Sequence, residues 1–144
     1  GISLMPELDF SYLLMKELYS AFTKTGQEVT IFREANLFEK DLTDIYIRIG
    51  NQRVAIEVKF DNRDDIYVRD MAKLSRIPPS LADIRLFIGL KWILKESDEI
   101  TFPNRVAHQL AESGINAERY FQHKIPTSFQ NKRSFALYTI WHAQ

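Results

Sequence analysis

The chain has no cysteine, so disulfide staples and thiolate metal sites are both excluded. It has only five glycines and five prolines in 144 residues, and no low-complexity segment, internal repeat or linker. Lysine and arginine balance aspartate and glutamate at 19 each, which excludes a molecule-wide basic field for nucleic acid. Any such surface must be local. No apolar run reaches membrane-spanning length, and no basic-then-apolar leader opens the chain. The three histidines, His108, His123 and His142, lack metal-ligand spacing. Phosphate-binding loops, dinucleotide-binding glycine patterns, nucleophilic triads and zinc motifs are missing too. What remains is 45% hydrophobic and 26% charged, the composition of one ordinary folded domain, here taken as residues 1–144. The expectation is a cytoplasmic protein with no membrane partner.

The most informative segment is 43–60, two alternating strands around Gly50-Asn51. A two-residue turn pairs Ile49 with Gln52, Ile47 with Val54, Ile45 with Ile56 and Asp44 with Glu57. Ile45, Ile47, Ile49, Val54, Ile56, Val58 and Phe60 then share an apolar face. Asp44, Tyr46, Arg48, Arg53, Ala55, Glu57 and Lys59 share the other. A turn one residue longer would move the carboxylate to the wrong face. Opposed residues have Cβ atoms about 5 Å apart, and like charges so placed repel. Lys59 offsets part of that repulsion, and a divalent cation would offset more. Two carboxylates beside a lysine have the makings of a metal site with a basic helper, as phosphodiester hydrolysis requires. An exposed charge cluster neutralised by Lys59, with nothing bound, is the competing reading.

Around this hairpin, apolar spacing predicts a helix over 8–25, starting at Pro6 or Asp9 and stopped by Gly26. A short strand over 28–34 and a polar loop over 35–43 follow. Beyond the hairpin come a helix carrying Tyr67, Met71 and Leu74, and a strand over 84–94 buried on both faces. A helix over 101–113, a short helix over 117–123 and a strand over 134–141 complete the chain. The helix between Phe60 and Ile84 makes their strands parallel neighbours. The fold class is α/β, an α+β mixed sheet with helices on both sides. Arg48 and Arg53 oppose each other beside the turn and are candidate phosphate contacts. Tyr46 or Tyr67, where exposed, could stack on a base.

The αβββαβ order, Asp44 opening the second strand and Glu57-Val58-Lys59 in the third together resemble the PD-(D/E)xK nuclease superfamily. Threonine stands where that motif has proline before the aspartate. The resemblance covers about 8–92 and leaves the last third as a C-terminal helix and strand additions. It implies a restriction-endonuclease-like or Holliday-resolvase-like core and a Mg²⁺- or Mn²⁺-dependent nuclease acting on DNA. In that family Asp44, Glu57 and the Val58 carbonyl would hold the metal, and Lys59 would assist the attacking water. A further acid is implied near the first helix or strand, with Glu7 and Glu34 as candidates. The helix after the catalytic strand is expected to send a polar or basic group towards the site, with Lys73 as first choice and Arg69 next. Arg69 and Arg76, on one face of that helix, join Arg48 and Arg53 as candidate nucleic-acid contacts. A homodimer or a subunit of a larger complex both fit. So does a catalytically inactive nucleic-acid-binding or protein-interaction module on the same fold.

Overall fold

The computed structural model describes residues 4–129 and 132–144. Helix α1 (Leu4–Thr23) leads into a meander of β1 (Val29–Phe38), β2 (Asp41–Ile49) and β3 (Gln52–Phe60). Helix α2 (Asp64–Ser75) crosses to β4 (Ile84–Ile93). Then come α3 (Asp98–Glu112), β5 (Ala117–Phe129) and β6 (Lys132–Ala143). One six-stranded sheet has the order β1-β2-β3-β4-β6-β5. Only β3 and β4 are parallel, as a helical crossover between adjacent strands requires.

The β2–β3 register is the one the turn predicts, from Ile49 opposite Gln52 to Ile45 opposite Ile56. Gly50 takes φ +57°, the left-handed conformation a tight hairpin turn demands. The seven predicted apolar side chains are buried in one cluster with Phe10, Leu14, Met15, Leu18 and Phe22 of α1. At about 1.5–3 kcal/mol for each buried aliphatic or aromatic side chain, that face favours its register by more than about 10 kcal/mol. Repulsion between opposed like charges is worth about 1 kcal/mol or less. Packing therefore forces the hairpin's acids together whatever their charges prefer.

The opposite face of β3, β4 and β6 lies under α2 and α3, with Tyr67, Met71, Leu74, Phe87, Phe102, Val106, Leu110 and Trp141 in its core. Tyr67 sits so close over Gly89 that a Cβ there would lie 2.5 Å from the Tyr67 Cε2. Glycine is the residue that admits α2 this near to β4.

Three elements depart from expectation. The first helix begins at Leu4, ahead of Pro6 and Asp9. The segment predicted as a polar loop over 35–43 is largely strand. There β1 runs on to Phe38, with Glu34 at φ +53° and a register shift between Asn36 and Phe38, and Glu39 at φ +56° makes the turn into β2. The short helix over 117–123 is instead the start of β5, which pairs with β6 along its length. The C-terminal addition is thus a helix and a two-stranded hairpin.

Candidate functional site

Burial sorts the charges on the hairpin's second face. At the turn end, Arg48 lies opposite Arg53 as predicted. Arg53 is drawn away into a fork on Asp83 (Nη2–Oδ1 3.0 Å) and also donates to the Ser80 carbonyl. At the open end, Glu57 is only 3% exposed. Its Oε1 lies 2.8 Å from the Lys73 Nζ of α2. The distance is that of an ion pair, but the angles leave Oε1 without a well-formed hydrogen bond. Burial, and then repulsion from Asp44, push the Glu57 carboxyl up to about 8, with Lys73 opposing both.

Asp44 does not simply face Glu57 across the ladder. Its Oδ2 accepts the Val58 backbone N–H at 2.8 Å, tying the start of β2 to β3. The Val58 side chain is fully buried in the α1-side cluster. Glu7 reaches from the first turns of α1 to accept the Phe60 N–H at 2.8 Å. Burial raises the Glu7 pKa; the Phe60 hydrogen bond and Lys59 oppose the rise, and Asp44 and Asp70 add to it. Lys59 lies 3.8 Å from the Glu7 Oε1 and 3.6 Å from the Asp70 Oδ2. Two carboxylates thus hold its ammonium from opposite elements, α1 and α2.

The structure therefore brings Glu7, Asp44, Glu57, Lys59 and Lys73 to one neighbourhood, at the carboxyl end of β3. Glu34, the other candidate acid, is exposed and pairs with Arg33 at 3.7 Å. Of the four predicted phosphate contacts, Arg53, Arg69 and Arg76 each sit within 3.4 Å of a carboxylate: Asp83, Asp70 and Asp41. Arg48 has no carboxylate within ion-pair distance among the described residues, and stacks on aromatic rings instead. Tyr46 and Tyr67 are buried, which removes both as stacking surfaces.

Asp70 is the residue the sequence reading missed. It is 7% exposed on a helix otherwise read as an apolar stripe beside a basic one. Its spacing held a signal: Asp70 lies four residues after the buried Ile66 and four before the buried Leu74, on the core-facing side. An acid there has to find a partner.

Chemically the neighbourhood offers hard oxygen donors in excess of cations: four carboxylates against two lysines, with Arg69 at the rim. That donor set suits Mg²⁺ or Mn²⁺. Among the described residues no three acidic or histidine side chains converge closely enough to share one ion. Lys73 engages Glu57, and the Val58 N–H engages Asp44. Compared with protein-family models, curated proteins and solved structures, the chain finds no match in any of the three. Among the described residues, no helix is long and apolar enough to cross a membrane.

Proposed function

We propose that this chain is a Mg²⁺- or Mn²⁺-dependent nuclease that hydrolyses phosphodiester bonds in DNA, on a restriction-endonuclease-like αβββαβ core. The observation that carries this reading is the placement of Asp44, Glu57 and Lys59 on one face, at the carboxyl end of the parallel β3–β4 pair. Ligands of open α/β sheets bind beyond that end of the strands. The first six elements, α1-β1-β2-β3-α2-β4, also follow the expected order.

Asp44 and Glu57 would hold the metal, with the Val58 carbonyl as a further ligand. Bound there, the ion supplies Lewis-acid polarisation of the phosphate and a more acidic water. Asp44 and Glu57 would lose their mutual repulsion with a cation between them, and Lys73, 2.8 Å from the Glu57 Oε1, would share that carboxylate with the ion. Lys59 orients the attacking water and steadies charge on the phosphate oxygens. The water oxygen bonds to phosphorus as its proton passes to solvent, the bond to the leaving sugar oxygen breaks, and that oxygen takes up a proton from solvent. Glu7 and Asp70 fix where the Lys59 ammonium sits.

One observation favours a second reading, a binding module without catalysis. Each proposed metal ligand already has a partner within the chain, Lys73 for Glu57 and the Val58 N–H for Asp44. Cleavage of plasmid and branched DNA with Mg²⁺ or Mn²⁺ separates the two. The nuclease reading expects metal-dependent cleavage that disappears in Asp44→Ala and Lys59→Ala. Cleavage unchanged in both variants, or absent from the wild-type protein, would overturn it.

A further inference from the structure

The face of β1–β2 that carries Asp44 extends beyond the helices. Helix α2 packs on β3, β4 and β6, and on the outer part of this face Thr30, Phe32 and Arg48 are exposed. There Phe32 of β1 lies directly opposite Tyr46 of β2, and Thr30 opposite Arg48. The two rings have centroids 6.1 Å apart, and the Arg48 guanidinium lies 5.7 Å from the Phe32 ring centre and 6.0 Å from that of Tyr46. Tyr46 is buried and fixed by a 2.7 Å hydrogen bond from its hydroxyl to the Leu81 carbonyl. Phe32, by contrast, is 42% exposed. Beside this stack is a shallow hollow lined by Glu28, Thr30, Arg48 and Gly50. Glu28 is not within ion-pair distance of Arg48 among the described residues.

We propose that Phe32 and Arg48 form a stacking and phosphate-binding platform for a single nucleic-acid strand leading away from the Asp44–Glu57–Lys59 site. This deepens the nuclease reading and rests on it for the direction in which the strand runs.

Three features support the assignment. The first is the pairing of chemistries: an exposed ring accepts a base face, and a planar guanidinium accepts either a base or a phosphate. The second is rigidity. Tyr46, held by its hydroxyl on the Leu81 carbonyl, flanks Phe32 from the neighbouring strand, so a base docking on Phe32 would order little that is not already ordered. The third is continuity. Arg48 lies four residues along the same face of β2 from Asp44, about 13 Å at strand spacing. A strand held at the acids would therefore pass within reach of it. Bases in an intact duplex are stacked on one another, so the platform selects single-stranded or frayed ends. An aromatic pair across two strands also stabilises a sheet. That role alone would make folding, and not oligonucleotide binding, depend on Phe32.

The test is fluorescence anisotropy with labelled oligo-dT and oligo-rU of about 15 nucleotides and a matched DNA duplex. The full chain is used in EDTA, so no cleavage intervenes. The single strands are expected to bind more tightly than the duplex. Phe32→Ala and Arg48→Ala should each weaken single-strand binding about ten-fold while thermal unfolding barely changes. Phe32→Trp should retain binding, and Glu28→Gln should tighten it about two-fold at low salt. The dT and rU arms distinguish DNA from RNA as the preferred strand. Equal affinity for strand and duplex, no binding at all, or single-strand binding untouched by both alanine variants would overturn the platform. Because no metal is present, these outcomes are independent of cleavage. Loss of the nuclease reading with Phe32-dependent binding intact would leave a single-strand-binding module.

Discussion

The two ends of the β2–β3 hairpin carry the same alternation of apolar and charged residues and come to opposite ends chemically. At the turn, two arginines oppose each other, and the conflict is settled near the surface by the Asp83 fork and by stacking on Phe32 and Tyr46. At the open end, half-buried Asp44 lies near Glu57, which is buried beside Lys73 of α2 and is pushed up to about 8. Register supplies like-charge contact at both ends, and burial makes it consequential at only one. A charge that the fold leaves poorly matched in a buried place is a candidate for function. A surface charge matched by a carboxylate, as Arg53 is by Asp83, is not.

The comparison predicts effects that fall off steeply from one end to the other. Lys59→Ala should reduce metal-dependent cleavage by about 10²–10³-fold, the scale of removing one preorganised charge from a reacting phosphate. Single-turnover rates would read it. Next is Lys73→Met, which leaves Glu57 buried without its cation. Removing one partner of a buried pair is destabilising, but a carboxyl at about 8 can take up a proton, which caps the electrostatic cost at about 1–2 kcal/mol at pH 9. At pH 6 Glu57 protonates instead and the cost shrinks, so chemical denaturation at both pH values should show the difference.

Glu57→Gln tests the same group from the other side. A carboxyl raised from 4.5 to about 8 on folding binds its proton more tightly in the folded chain than in the unfolded one. Its contribution to stability is therefore lost as pH rises from about 4.5 to about 8. In EDTA the wild-type Tm should fall across that window on this account, and the glutamine variant should lack that component. The Tm advantage of Glu57→Gln should grow from pH 5 to pH 8.5. A constant difference would place the raised carboxyl elsewhere. The smallest effect belongs to the turn end: Arg53→Ala should leave cleavage unchanged and move thermal unfolding close to the limit of detection.

Much of this was legible in the residues because it depended on alternation and turn chemistry. Gly50-Asn51 fixed the turn, the apolar pattern fixed the faces, and the crossover made β3 and β4 parallel. Lys73 was legible as a basic group on the helix that follows the Glu57 strand. Asp70 was not, because among alternating charges on α2 an inward acid reads like an outward one until its partner is known. That partner, Lys59, lies on another element. The continuation of β1 past Glu34 is hidden by the positive φ of Glu34 and by the register shift between Asn36 and Phe38, which interrupt alternation without ending pairing. The β5 segment Ala117–His123 does not read as a strand because Tyr120 is an extra residue at a register shift between Arg119 and Phe121, and that shift blurs the two-residue period. Each failure lies where tertiary pairing overrides local pattern.

The central claim is that the open end of the hairpin takes a divalent cation through Asp44 and Glu57. Calorimetric titration of Mn²⁺ into the metal-free chain tests it most directly, with Asp44→Asn and Glu57→Gln alongside. The account predicts a saturable ion site in the wild-type protein that both variants abolish. A titration with no binding heat, or one that both variants leave unchanged, would contradict it.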